Sequence, residues 1–136
     1  SYTASLERPQ NKAFVDAFNE AYGHDPSYYA ESTYTAAMWL DQALAETGKP
    51  TDPLELVEAV KAVELSDAPR GPLRLDEYAN PIETVYIRET VLKEGDSGME
   101  NKVLDVIPEV SQFWTYSPEE FLAQPVYSRN FPALQD

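Results

Sequence analysis

Cysteine is absent from the 136 residues. That excludes disulfides, thiolate nucleophiles and Cys-ligated zinc. Histidine is nearly absent too: the single His24 sits in a Gly-His-Asp turn. One imidazole cannot form the paired-His face of a zinc-binding helix, so His24 is expected to be a loop residue. Cations are scarce, with 10 Lys and Arg against 24 Asp and Glu and a net charge of −14. Nucleic-acid binders need basic patches to displace counterions, so no nucleic-acid partner is expected. Anionic membranes are disfavoured by the same sign of charge. No apolar run reaches the ~20 residues that a spanning helix needs. The opening SYTASLERPQ has no apolar signal-peptide core. Phosphate loops of the Walker or Gly-x-Gly-x-x-Gly kind, the Gly-x-Ser-x-Gly elbow and a calcium loop are all missing. The expectation is a binding module, not an enzyme, with neither cofactor nor metal.

What is present suits a globular α/β chain. Hydrophobic residues make up 43 % and charged residues 25 % of the sequence, close to the soluble average. Residues 1–8 read as an extended lead-in. Phe14, Val15, Phe18 and Tyr22 then mark one face of a helix that Gly23 ends. Asp25-Pro26-Ser27 starts a second helix running to Gly48, with Tyr34, Met38, Trp39, Leu40 and Leu44 as core fillers. Thr51-Asp52-Pro53 opens a third, whose apolar set is Leu54, Leu56, Val57, Val60 and Val63.

Pro69-Arg70-Gly71-Pro72 breaks the helical half. Residues 73–76 alternate as a short strand, 76–81 are turn-rich, and 83–92 with 102–107 make an antiparallel hairpin around Glu94-Gly95-Asp96-Ser97-Gly98. On the first hairpin strand, Val85, Ile87 and Val91 share one side, and Tyr86 and Arg88 the other. A brief helix is predicted at 117–123. No strand is continuously apolar, as a buried parallel sheet demands. The helices look built to cover a sheet that the chain does not contain, so the fold is expected to be incomplete on its own.

Aromatic residues reach 12 %. Tyr28 and Tyr29 stand side by side where a helix begins, and adjacent helical positions are ~100° apart, so at most one faces the core. Two readings stay open: core plus a surface ring, or one wall of a ligand site. A helix N-terminus flanked by aromatic walls can hold a carboxylate-bearing ligand on its orphan N–H groups.

The order Pro9-x-Asn11-Lys12-x-Phe14-Val15, Tyr22-Gly23-x-x-Pro26, Tyr28-Tyr29-Ala30 and Tyr34-x-Ala36-Ala37 carries a resemblance. Pro69 to Asp76, Ser111-Gln112-Phe113-Trp114 and Pro125-Val126-Tyr127-Ser128-Arg129 extend it over nearly the whole chain. In these motifs the chain resembles the periplasmic solute-binding proteins of branched-chain amino acid ABC transporters, some relatives of which take amides or aromatic acids. The resemblance implies the C-terminal portion of a two-lobed type I periplasmic binding fold, three helices followed by a few strands, with ligand held between the lobes. Residues 1–82 would belong to the N-terminal lobe, and residues 83–136 would form a strand pair and tail past the third crossover. It implies ligand contacts at Tyr28, Tyr29 or Ala30, and less strongly at Tyr2. Tyr29→Ala is expected to weaken binding more than Tyr28→Ala, with the order reversed if the helix has the other phase. A small amino acid, amide or aromatic acid is the implied ligand and a membrane permease the implied partner. The location would be periplasmic, with an export signal upstream of residue 1. Self-association is expected for these residues in isolation. The alternative is a ligand-sensing or self-associating structural domain without a transport role.

Overall fold

The computed structural model describes residues 1–48, 52–95 and 98–125. Thr51 at the expected start of the third helix, Asp96-Ser97 of the hairpin turn and residues 126–129 of the tail motif lie outside the described residues.

The three helices form where their start and stop signals stand. Helix α1 (Pro9–Tyr22) has proline in its first turn and ends at Gly23, whose φ of 74° is left-handed. Such a φ costs glycine nothing and a side chain about 1 kcal/mol. In α2 (Tyr28–Thr47) the Ser27 hydroxyl accepts from the Ala30 N–H at 3.2 Å. In α3 (Pro53–Ala62) the Asp52 carboxylate accepts from the Leu54 N–H at 2.9 Å. Each cap satisfies a backbone donor that the helix itself leaves open. Buried Asn11 on α1 donates to the carbonyls of Ala4 at 2.9 Å and Leu6 at 3.0 Å, which pins the lead-in across the helix start.

The second half folds as one antiparallel sheet in the order β1 (Glu64–Leu65), β2 (Leu73–Leu75), β3 (Pro81–Leu92), β4 (Met99–Val110). The few strands expected after the helices are present, joined with the unexpected β1 into one sheet in which β1 and β2 are short. Alternation understates the hairpin because β4 changes phase midway. Ile87 faces Asp105 and Arg88 faces Val103, leaving Leu104 unmatched in a bulge. The ladder therefore continues to Met99, beyond the predicted start at Lys102. The expected boundary between residues 82 and 83 falls inside β3.

Two small cores result. Trp39, Ala43, Ala59, Val63, Leu65, Ala68 and Leu73 join α2 and α3 to the short strands. Tyr2, Leu6 and Phe14 join the lead-in to α1, with Tyr86 and Val103 of the hairpin packed against them. The predicted core fillers divide accordingly. Trp39 is buried, whereas Tyr34, Leu40, Leu44, Leu54 and Val57 are exposed. The sheet is too small to cover more than one side of α2 and α3. Past the hairpin, α4 (Pro118–Leu122) starts in a Ser117–Glu120 capping box. Phe113 holds this end down, 5.3 Å from the Tyr78 ring and 5.5 Å from Phe121.

The α2–α3 pairing turns on one polar contact inside apolar surroundings: the Trp39 indole N–H donates to the Val60 carbonyl at 2.8 Å. Trp39→Phe removes this donor and leaves the carbonyl with the Val63 N–H, at 3.3 Å, as its partner. The expected cost is that of one hydrogen bond, about 0.5–1.5 kcal/mol, read as a lower urea midpoint at unchanged slope.

Candidate ligand-binding site

A buried ion cluster positions the site. Arg70, in the turn between β1 and β2, is nine-tenths buried. Its guanidinium donates to Glu31 through Nε at 2.7 Å and also through Nη2, to Ser32 at 2.6 Å, and to Glu83 through Nη1 at 2.9 Å. Fully buried Glu31 is held in turn by the Thr35 hydroxyl at 2.6 Å. Glu83 also accepts from the Ser1 nitrogen at 2.7 Å. Burial pushes the Glu83 carboxyl up, but the bonds from Ser1 and Arg70 outweigh it and leave the group below its ordinary value of 4.5. Burial works against the charge on Arg70, and Glu31 and Glu83 more than restore it. The Tyr86 hydroxyl donates to the Arg70 carbonyl at 2.8 Å. One side chain thus ties the lead-in, α2 and β3 together.

Above this cluster lies a cavity of about 460 Å³. Residues 2–5 and the start of α2 wall one part of it, and the outer end of the β3–β4 hairpin the other. Its size falls within the range of small-molecule sites. Tyr28 lines it, and the Arg70 guanidinium carbon sits 5.2 Å from the Tyr28 ring centre, close enough for a cation–π contact. Tyr2 forms the floor at 1 % exposure, and its hydroxyl has no hydrogen-bond partner among the described residues. Burial, with the nearby charges of Glu31 and Asp25, holds the Tyr2 phenol far above its usual range, and Arg70 only partly offsets them. Asp25, Glu100, Arg88 and Lys93 bring charge to the walls. Asp25 accepts from the Asn19 amide at 2.7 Å and lies 3.4 Å from Lys93. The Asn19 bond chiefly, then Lys93, keeps the Asp25 carboxyl below its usual range against an opposing push from burial.

The structure brings together Tyr2 and Tyr28 of the four residues singled out in the sequence. Tyr29 points outward at 80 % exposure, and Ala30 is taken up in the Ser27 cap; neither lines the cavity. The helix has the phase that favours Tyr28. Arg70, Glu31, Glu83 and Arg88 were not singled out. Arg70-Gly71 read as a helix break and as part of a turn-and-strand motif, and a glutamate among small helical residues carries no mark of burial. His24 is a loop residue, bonded to its neighbour's carbonyl. Among the described residues no cluster of metal-ligating side chains occurs, and no helix is long and apolar enough to cross a membrane.

A family profile described as periplasmic binding protein matches residues 1–96. No curated protein sequence matches the chain. Similar solved structures include these three. An ABC transporter substrate-binding protein from Sphaerobacter thermophilus is 30% identical over 80% of this chain and 30% of its own, with a TM-score of 0.73. An ABC transporter solute-binding protein from Rhodopseudomonas palustris BisB5, in complex with 3,4-dihydroxybenzoic acid, is 27% identical over 81% and 30%, with a TM-score of 0.74. Another from R. palustris, in complex with benzoate, is 32% identical over 81% and 29%, with a TM-score of 0.67. The chain spans about 30% of the length of these proteins and matches that part of their fold.

Glu83 makes the ion cluster pH-dependent. Its carboxyl is depressed in the folded protein, so the stabilisation it adds is fully present above its ordinary value of 4.5 and is lost as pH falls through the lower folded value. Melting temperatures measured from neutral pH down past that point should fall less steeply for Glu83→Gln than for the parent protein. Parallel curves would show that Glu83 is not the linked group.

Proposed function

The chain belongs to the periplasmic binding protein family, and on that premise we propose that it forms one wall of the ligand cleft in the extracytoplasmic solute-binding subunit of an ABC transporter. The observation that carries the reading is the cavity at the start of α2, floored by Tyr2 and walled by Tyr28. It lies where the sequence motifs imply ligand contact. A membrane permease is the partner that such a subunit serves. Residues 1–82 would pack with the N-terminal lobe and 83–136 lie past the third crossover. The Arg70 cluster would then tie the two segments together beside the cleft.

For the ligand we favour an aromatic acid over a branched-chain amino acid. Relatives at 27% and 32% identity are complexes with 3,4-dihydroxybenzoic acid and benzoate. An aromatic wall at Tyr28 suits a ring, since stacked or edge-on rings gain about 0.5–1.5 kcal/mol beyond area burial. The sensing-domain alternative uses the same cleft and differs only in what is attached to it.

Calorimetry on the natural full-length protein tests the site. Tyr28→Ala should weaken ligand binding by about 1–3 kcal/mol, whereas Tyr29→Ala should leave it nearly unchanged. Equal affinities with a lower melting temperature for Tyr28→Ala would make that ring structural and remove the site from this face.

A further inference from the structure

Arg88 stands out among the charged groups of the cavity. It follows the bulge in the hairpin: Ile87 pairs with Asp105, and the next residue, Arg88, pairs with Val103. Bulges of this kind re-aim side chains and recur beside functional sites. Two apart on β3, Tyr86 and Arg88 share the face turned to the lead-in. There the Tyr86 N–H donates to the Ser1 hydroxyl at 2.9 Å, and Arg88 Nη1 donates to the Tyr2 carbonyl. That contact fixes the guanidinium against the floor of the cavity and uses one of its five N–H donors.

The remaining donors face a protein rich in acids, yet none answers them. Arg70 is paired with Glu31 and Glu83, and Lys93 with Asp25. Arg88 forms no ion pair among the described residues. In a chain with 24 acidic and 10 basic residues, chance would favour a carboxylate neighbour. At the same cavity Lys93 is offset by Asp25, and Glu100 is the other carboxylate of the walls, in no ion pair with Arg88. A guanidinium oriented by one bond and open on its other edge presents the planar fork that matches a carboxylate in two parallel hydrogen bonds.

We infer that Arg88 holds the carboxylate of the ligand, in the cavity proposed above as the ligand site and resting on that reading. The carboxylate could belong to an aromatic acid or to an amino acid, and the measurement separates these. Benzoate, L-leucine and uncharged benzamide are titrated into the natural full-length protein and into its Arg88→Gln and Arg88→Lys variants. Arg88→Gln should weaken the carboxylate that binds the parent by roughly 10- to 100-fold, the worth of a charge-assisted bond. Arg88→Lys should recover part of that loss. Benzamide should bind parent and Arg88→Gln alike and weakly, because it has the ring without the charge. Added salt should weaken the parent more than Arg88→Gln. Binding by Arg88→Gln within twofold of the parent overturns the inference and leaves the cavity standing as the site. An equal loss for benzoate and benzamide also overturns it, since the role would then be structural. A parent protein that binds neither benzoate nor leucine overturns the site itself, and Arg88's role with it.

Discussion

A single guanidinium holds this chain together. Arg70 sits in the turn after the helices and reaches back to α2 through Glu31 and forward to β3 through Glu83. The desolvation of such a group is expensive, and two carboxylates with several hydrogen bonds are what make it tolerable. Removing one member leaves an uncompensated buried charge, a loss of about 3–5 kcal/mol in comparable clusters. An apolar replacement of the whole cluster need not cost anything. Its value lies in fixing which elements meet. The two apolar cores are small and separate, and the ion cluster lies between them, joining what the cores do not. Tyr28, whose ring lies against Arg70, inherits its place from the same contact.

The helices were legible because their signals are local. Pro9, Ser27, Asp52 and Gly23 act within a turn or two of where they stand, and the structure begins or ends helices beside each of them. The capping box at Ser117 is local in the same way. The sheet was only half legible. Its register depends on partners far apart in the chain, and a bulge at Leu104 breaks the period-two pattern that marks a strand. The two-residue β1 carries too little pattern to be seen at all. Leu40 and Leu44, expected as core fillers, are exposed instead, as are Leu54 and Val57 of the third helix's apolar set, because the small sheet leaves those helix faces uncovered.

The site divides along similar lines. Tyr28 came from motif order and Tyr2, more weakly, from its place in a loop near the implied crossover, and they share one cavity. The choice between Tyr28 and Tyr29 required the phase of α2, which the sequence leaves free by about one residue. Arg88 was placed on the correct side of its strand beside Tyr86, but nothing in the sequence says that this side meets the lead-in. Glu31 and Arg70 are 39 residues apart, and no local rule pairs them. Family membership does not supply these contacts, and a stretch equal to about 30% of the relatives' length matches only part of a two-lobed fold.

The unmatched Leu104 also determines where this strand can change length. Asp105 and Val103 already face neighbouring residues of β3. Losing the leucine between them would close the ladder into regular alternation and leave every other side chain on its present face. Losing any residue from 99 to 102 would instead turn the segment beyond it over, because one position is half a period. Leu104 is therefore a site where evolution can delete a residue without rewriting the rest, and it lies beside the arginine that faces the cavity; a second register shift falls between Glu83 and Val85.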